Sequence, residues 1–188
     1  VRKFEVMYRF PYIDKKQKQG LTISADYSEV KSLAYKTVDH KLVFTDTLIN
    51  KDKDIMRTTS GASIVYTYRP SFYESHAFTL AYRNVSIDDT IAYLNPNYVG
   101  NGRKNQQYTS LSYFFNSEHR DYVAYPLKGY QFSVLANWSG LTRHEDLQRF
   151  EITALASFHR DLKNELYLSN NSVAYWGASA PSASRRKI

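Results

Sequence analysis

The chain has 188 residues, no cysteine, a formal net charge of +7 and 15% aromatic residues, 17 of them tyrosine. The lack of cysteine excludes a disulfide scaffold, a cysteine-type zinc site and a cysteine nucleophile. No apolar run approaches the roughly 18 residues that a transmembrane helix needs, although so many tyrosines in a chain of negative mean hydropathy suit a sheet with one face in lipid and one in water.

In chain order, Phe4, Val6, Tyr8 and Phe10 alternate with Glu5, Met7 and Arg9, a period of two that predicts a strand. Residues 11–19 form a compact polar connection. Leu21, Ile23, Ala25 and Tyr27 alternate with Thr22, Ser24 and Asp26 as the next strand. From Ser28 to about Met56 the pattern blurs into a long loop. Its shoulders, Leu33-Ala34-Tyr35 and Leu42-Val43-Phe44, read as prolongations of the flanking strands, and residues 50–54 read as its exposed tip. Ala62, Ile64, Tyr66 and Tyr68 begin the third strand pattern, and a short connection around Pro70 leads to the fourth, with His76, Phe78, Leu80 and Tyr82. A Gly/Asn/Pro-rich stretch from Asp88 to Gly102 cannot continue a strand and reads as a second long loop. Thr109, Leu111, Tyr113 and Phe115 mark the fifth strand, and Tyr130, Phe132, Val134, Ala136 and Trp138 the sixth. Between them Pro126 fixes φ and Gly129 is free to take a positive φ, so the chain can reverse. A polar loop from Gly140 to Gln148 precedes the seventh strand, with Phe150, Ile152, Ala154, Ala156 and Phe158. A tight turn from Arg160 to Asn164 leads to a last strand, Glu165 to about Trp176, of unclear phase. Residues 177–188 read as the start of another loop.

The pattern thus predicts an all-β chain of about eight antiparallel strands. Short turns fall near residues 14, 72, 124 and 162, and long loops near 45, 95, 144 and beyond 177. Strands of this length, with loops sorted by size, are the layout of an up-and-down transmembrane β-barrel, in which short turns face the periplasm and long loops face outside. A soluble sandwich shares the alternation but has no reason to sort its loops. Trp138, Trp176 and the tyrosines at strand ends read as interfacial anchors. Val1 is not a methionine and no strand closes the C-terminal end, so residues 1–188 read as a single segment of a longer barrel domain.

The basic residues fall in separate clusters: Lys15, Lys16 and Lys18; Arg103 and Lys104; Arg185, Arg186 and Lys187. These read as solvated turns, and no nucleic-acid partner is expected. Five histidines, His40, His76, His119, His144 and His159, invite a catalytic reading. However, His144-Glu145-Asp146 lacks the second histidine of a His-Glu-x-x-His site, and no Gly-x-Ser-x-Gly elbow occurs. Ser157 and His159 share a strand face, which is weak ground for a hydrolytic pair. The expectation is therefore no enzyme, no catalytic residue, no metal and no cofactor, with His119, Arg120 and Asp121 forming a structural ion-pair cluster.

Arg120-Asp121, followed by Tyr125-Pro126-Leu127-Lys128-Gly129-Tyr130, resembles the periplasmic hairpin of the BamA/TamA superfamily of outer-membrane barrel insertases. Phe10-Pro11-Tyr12-Ile13, Ala34-Tyr35-Lys36-Thr37, Tyr68-Arg69-Pro70-Ser71-Phe72 and Leu94-Asn95-Pro96-Asn97-Tyr98 are similar to the form found in Bacteroidota. The resemblance spans nearly the whole chain, and order and spacing carry it more than any single motif. It implies a sixteen-stranded barrel in the bacterial outer membrane, preceded by POTRA domains, of which this chain resembles strands four to eleven. By that register the POTRA domains, the closing strands of the lateral gate and the Val-Arg-Gly-aromatic loop all lie outside the segment. The implied function is to assist insertion or translocation of outer-membrane proteins. The implied partners are outer-membrane lipids, unfolded outer-membrane protein clients and accessory lipoproteins. Two other parents share such a barrel: a patatin-like hydrolase fusion, and a passive pore or polypeptide secretion transporter.

Overall fold

The computed structural model describes residues 1–45, 55–99, 102–141 and 147–179. Alternating polar and apolar residues become strands because a pleated backbone sends neighbours to opposite faces. The main strands are β1 Arg2–Phe10, β2 Gln19–Val30, β5 Arg57–Tyr68, β6 Glu74–Ile87, β7 Asn105–Glu118, β8 Gly129–Ser139, β9 Arg149–Lys163 and β10 Leu166–Ser179. They form one antiparallel sheet in the order β1-β2-β5-β6-β7-β8-β9-β10, so each strand pairs with its neighbour in the chain apart from one insertion. The protein is all-β in this sense. The eight strands of the sequence pattern are all present, and most run a few residues past their apolar alternation.

The insertion is a two-stranded sheet, β3 Ala34–Val38 with β4 Lys41–Phe44. It corrects the expectation that these runs prolong β2 and β5. The pair turns on Asp39 and His40, both at positive φ (47° and 61°), which matches the two left-handed residues of a tight hairpin. The second long loop also carries structure that the sequence pattern missed, a six-residue helix α1 Asp89–Leu94. Asp88 caps it by accepting from the Thr90 amide at 2.8 Å, and the Asn95 N–H closes it onto the Ile91 carbonyl. The Asn95 side-chain amide then donates to the Tyr35 carbonyl at 2.8 Å, tying the helix to the hairpin. Leu33, Tyr35, Met56, Ile87 and Ile91 form the buried apolar cluster of the described residues, and it lies here, at the long-loop end of the sheet. Residues 50–54, expected as the loop tip, and Gly100 and Asn101 lie outside the described residues.

The last hairpin also departs from expectation. β9 continues through Arg160 to Lys163, and the turn is only Asn164 and Glu165. Lys163, Asn164 and Glu165 all have positive φ (73°, 53° and 62°). A chain reversal this tight needs left-handed residues, which leaves more length for strand. β10 starts with a register shift between Leu166 and Tyr167, after which its phase is regular to Ser179.

Ile91 is 0% exposed, so Ile91→Ala leaves a cavity in the loop cluster at a cost of about 2–5 kcal/mol. We expect faster amide exchange in α1, β3 and β4 of this variant and unchanged protection in β7 to β9. Loosening of the whole sheet would show that the cluster supports it.

Candidate functional site

The pairing register assigns a face to every residue of the main sheet. Tyr8, Ile23, Ile64, Leu80, Leu111, Trp138 and Phe150 form one row across seven strands. The adjacent row on the same face is Phe10, Leu21, Tyr66, Phe78, Tyr113, Ala136, Ile152 and Trp176. These side chains stay open even on central strands: Ile64 is 47% exposed and Leu80 46%. Soluble monomers rarely leave a contiguous apolar patch beyond a few hundred square ångströms, so a face of this extent calls for a non-aqueous or protein covering. Trp138 (49% exposed) and Trp176 (58%) both lie on it toward the long-loop end, and Trp176 meets the Phe150 ring edge-on at 6.0 Å. His76 also lies on this face. Its Nδ1 is 2.9 Å from the Tyr113 hydroxyl, and its ring stacks with Tyr68.

The opposite face is polar and bonded to itself. Ser24 meets Ser63 at 2.7 Å, the Ser112 hydroxyl donates to Asn137 at 2.7 Å, and the Gln131 amide donates to Asn116 at 3.0 Å. Arg83 on β6 donates to Asp26 on β2 at 2.7 Å, reaching across β5. The intervening residue is Gly61, where a Cβ would come within 2.9 Å of the arginine, so the missing side chain leaves the room for this bridge. Tyr175 donates to Glu151 at 2.6 Å, and Arg149 pairs with the same carboxylate.

At the other end of the sheet each short turn is held by a side-chain oxygen. Asp14 accepts from the Lys18 and Gln19 amides, Ser71 from Glu74, and Asp161 from Lys163. The turn singled out in the sequence, residues 119–128, is the most elaborate. One carboxylate oxygen of Asp121 accepts from the amides of Tyr122 (2.9 Å), Leu127 (3.0 Å) and Lys128 (3.2 Å), and the Asp121 amide donates back to the Lys128 carbonyl. These amides hold the Asp121 carboxyl below its ordinary range, with Lys128 first among them. Gly129 has φ +104°, and a Cβ there would collide with the His119 carbonyl and lie 2.8 Å from the Arg120 Cα. His119 is sandwiched between Tyr73 (4.6 Å) and Tyr130 (4.7 Å), nearly parallel to both. Tyr125, beside Pro126 at the tip, is 80% exposed.

The expected ion pairing among His119, Arg120 and Asp121 is therefore not found. Arg120 grips Glu118 bidentately at 2.6 and 2.6 Å, Asp121 binds backbone, and His119 stacks. Glu118 and Arg120 are two apart and so share a strand face, whereas sequence neighbours point apart. The Ser157–His159 pair is not formed either. Both residues are buried, but neither imidazole nitrogen of His159 has a partner among the described residues. His144 lies outside the described residues. No group of three His, Asp or Glu close enough to hold a metal occurs among the described residues. No described helix is long and apolar enough to cross a membrane, which does not bear on crossing by strands.

No protein-family model matches the chain, and no curated protein matches it.

Gly129→Ala forces a left-handed φ and a backbone collision, so we expect a loss on the order of 1–3 kcal/mol in unfolding experiments. Asp121 adds a pH dependence of definite sign. Its folded carboxyl titrates below the ordinary value of 3.8, so its contribution is present above that value and is lost as pH falls through the lower folded value. Amide exchange at Leu127 and Lys128, corrected for intrinsic rates, should accelerate in that acid window, and Asp121→Ala should abolish the pH dependence. Unchanged protection of both amides in Asp121→Ala would contradict this account of the turn.

Proposed function

We propose that the eight-stranded sheet is part of a transmembrane β-barrel in a bacterial outer membrane, and that its parent assists insertion or translocation of outer-membrane proteins. The observation that carries the membrane reading is the contrast between the two faces. Apolar rows half-exposed on every central strand oppose a hydrogen-bonded polar face, which is the division between lipid and aqueous lumen in a barrel wall. Trp138 and Trp176 would then anchor the long-loop rim at the outer interface. The short turns held by Asp14, Ser71, Asp121 and Asp161 would face the periplasm. The outer edges of β1 and β10 are both free of a described strand. In lipid such edges must be paired, so further strands would flank this segment.

The insertase reading rests on the resemblance of Arg120-Asp121 and Tyr125-Pro126-Leu127-Lys128-Gly129-Tyr130 to the BamA/TamA hairpin. The physical idea is that a barrel with a weak seam offers an open strand edge on which a client can pair its own backbone. Clients and accessory lipoproteins would be the protein partners, and no cofactor or nucleotide is needed for such templating.

Residues 1–188 contain no cysteine, so single cysteines placed here report cleanly once any cysteine elsewhere in the polypeptide is replaced by serine. Fluorophores on Ile64→Cys, Leu80→Cys and Leu111→Cys in the intact polypeptide, reconstituted in liposomes, should be quenched by brominated lipid. Those on Ser63→Cys, Ala81→Cys and Ser110→Cys should be quenched by iodide. Loss of that alternation would sink the membrane reading. The same liposomes should speed the folding of an added unfolded barrel protein relative to empty ones. Size-selective conductance without faster client folding would instead identify a passive pore.

A further inference from the structure

On β9 the apolar face runs from Phe150 to Phe158 and then meets Arg160, two residues further on and so on the same face. Arg160 is exposed, and its guanidinium has no partner among the described residues. Its surroundings on that face are apolar. Phe158 (46% exposed) and Leu162 (50%) flank it along the strand, and Leu168 (48%) lies directly across on β10. Asp161, the adjacent acid, belongs to the opposite face, and its carboxylate accepts from the Lys163 amide at 2.8 Å and pairs with Lys128 at 3.2 Å. Lys128, Arg160 and Lys163 outnumber Asp161 and Glu165, so this end of the sheet is net positive. Arg160 also lies at a defined height. Phe150, at the other end of β9, pairs with Trp138. At roughly 3.4 Å per residue and a strand tilt of about 40°, the rise from Phe150 to Arg160 is about 26 Å, close to the ~25 Å lipid-facing band of outer-membrane barrels.

We infer that Arg160 binds the phosphate of a membrane phospholipid, whose acyl chains lie over Phe158 and Ala156. This rests on the membrane reading and names the lipid that the apolar face would hold at its short-turn rim. A cation on a lipid-facing wall is costly unless it reaches the headgroup layer, and the anion at that height is a phosphate. The guanidinium offers paired donors that match phosphate oxygens. Asn170, which pairs with Phe158 two residues further in, breaks the apolar face in the same place. Its side-chain oxygen accepts from the Ser172 hydroxyl at 2.9 Å, leaving its N–H groups for an acceptor. In a phospholipid the ester carbonyls lie just inside the phosphate, so Arg160 and Asn170 match the two polar layers of one molecule. The unpaired positive charge favours a headgroup without an ammonium. A free phosphate ester shares the phosphate chemistry but lacks the chains.

The test places a fluorophore on Ala156→Cys in the intact polypeptide, reconstituted in phosphatidylcholine liposomes that carry brominated phosphatidylglycerol or brominated phosphatidylcholine. Quenching should show phosphatidylglycerol favoured by about fivefold, the effect of one basic side chain near an anionic lipid. The preference should disappear in Arg160→Gln and persist in Arg160→Lys, which keeps the charge. A fluorophore on Leu80→Cys, on the same face but on β6, should show no preference in either background. Soluble glycerol phosphate should leave the preference in place, and full competition by it would overturn a lipid as the ligand. Equal quenching by the two lipids at Ala156→Cys, or a preference unchanged in Arg160→Gln, would overturn the inference and leave the membrane reading standing. Quenching by neither lipid at either position would sink both.

Discussion

A one-residue slip anywhere along the seven strand pairings would exchange the faces of every residue in the slipped strand. The rest of the structure depends on that register. With it, Ile64, Leu80 and Leu111 share one face while Ser63, Ala81 and Ser110 share the other. A slip between β5 and β6 would set serine and threonine among the apolar rows and leave Asp26 and Arg83 on opposite sides of the sheet. The bridge between Asp26 and Arg83 checks the register over three strands at once, because it forms only when Gly61 lies between them.

The register is set at the short-turn end. A backbone turn alone tolerates alternative lengths, whereas a side-chain oxygen at a fixed position selects one. Asp121 does so most fully, because its carboxylate binds amides on both legs of the 119–128 turn. Gly129 then lets the returning strand pass close to the His119 carbonyl, and the Tyr73–His119–Tyr130 stack joins this turn to the one before it. Lys18 extends the link by donating to the Pro70 carbonyl at 2.6 Å, so the first and second turns are also joined. The short-turn end is thus a connected rim rather than four separate reversals.

The strands were legible because period two is a local signal that needs no knowledge of the partner strand. Their faces were legible for the same reason, except in β10. There the run Ser169-Asn170-Asn171-Ser172 is polar on both faces, and the shift at Leu166 and Tyr167 breaks the count. Leu33-Ala34-Tyr35 and Leu42-Val43-Phe44 were seen as strand-like, but nothing local says that they pair with each other. Helix α1 is too short for helical periodicity, and only the Asp88 cap signals it. The reversal between β7 and β8 was legible from backbone chemistry, since Pro126 fixes φ and Gly129 takes the positive φ that the close approach to His119 requires. The partners of His119, Arg120 and Asp121 were misread because sequence adjacency was taken for contact, while Arg120 reached back two residues to Glu118. That neither imidazole nitrogen of His159 has a partner among the described residues has no sequence signal at all, since it depends on the pairing of β9 with β8, where His159 faces Gly129.

The two ends of the sheet are stabilised by different physics. The cluster of Leu33, Tyr35, Met56, Ile87 and Ile91 excludes water with its own side chains, so its stability is internal. The main sheet lacks such a core. Its apolar rows gain nothing in water, and its hydrogen-bonded ladder by itself contributes only modestly there, because water competes for the same groups. In an apolar medium both terms favour the sheet more strongly. The exposed apolar rows no longer carry a hydration cost, and breaking any backbone pair leaves groups that nothing else can satisfy. A sheet built this way is therefore most stable where its apolar face is covered and its edges are paired. The loop cluster, which needs neither condition, can keep its form in water at the rim.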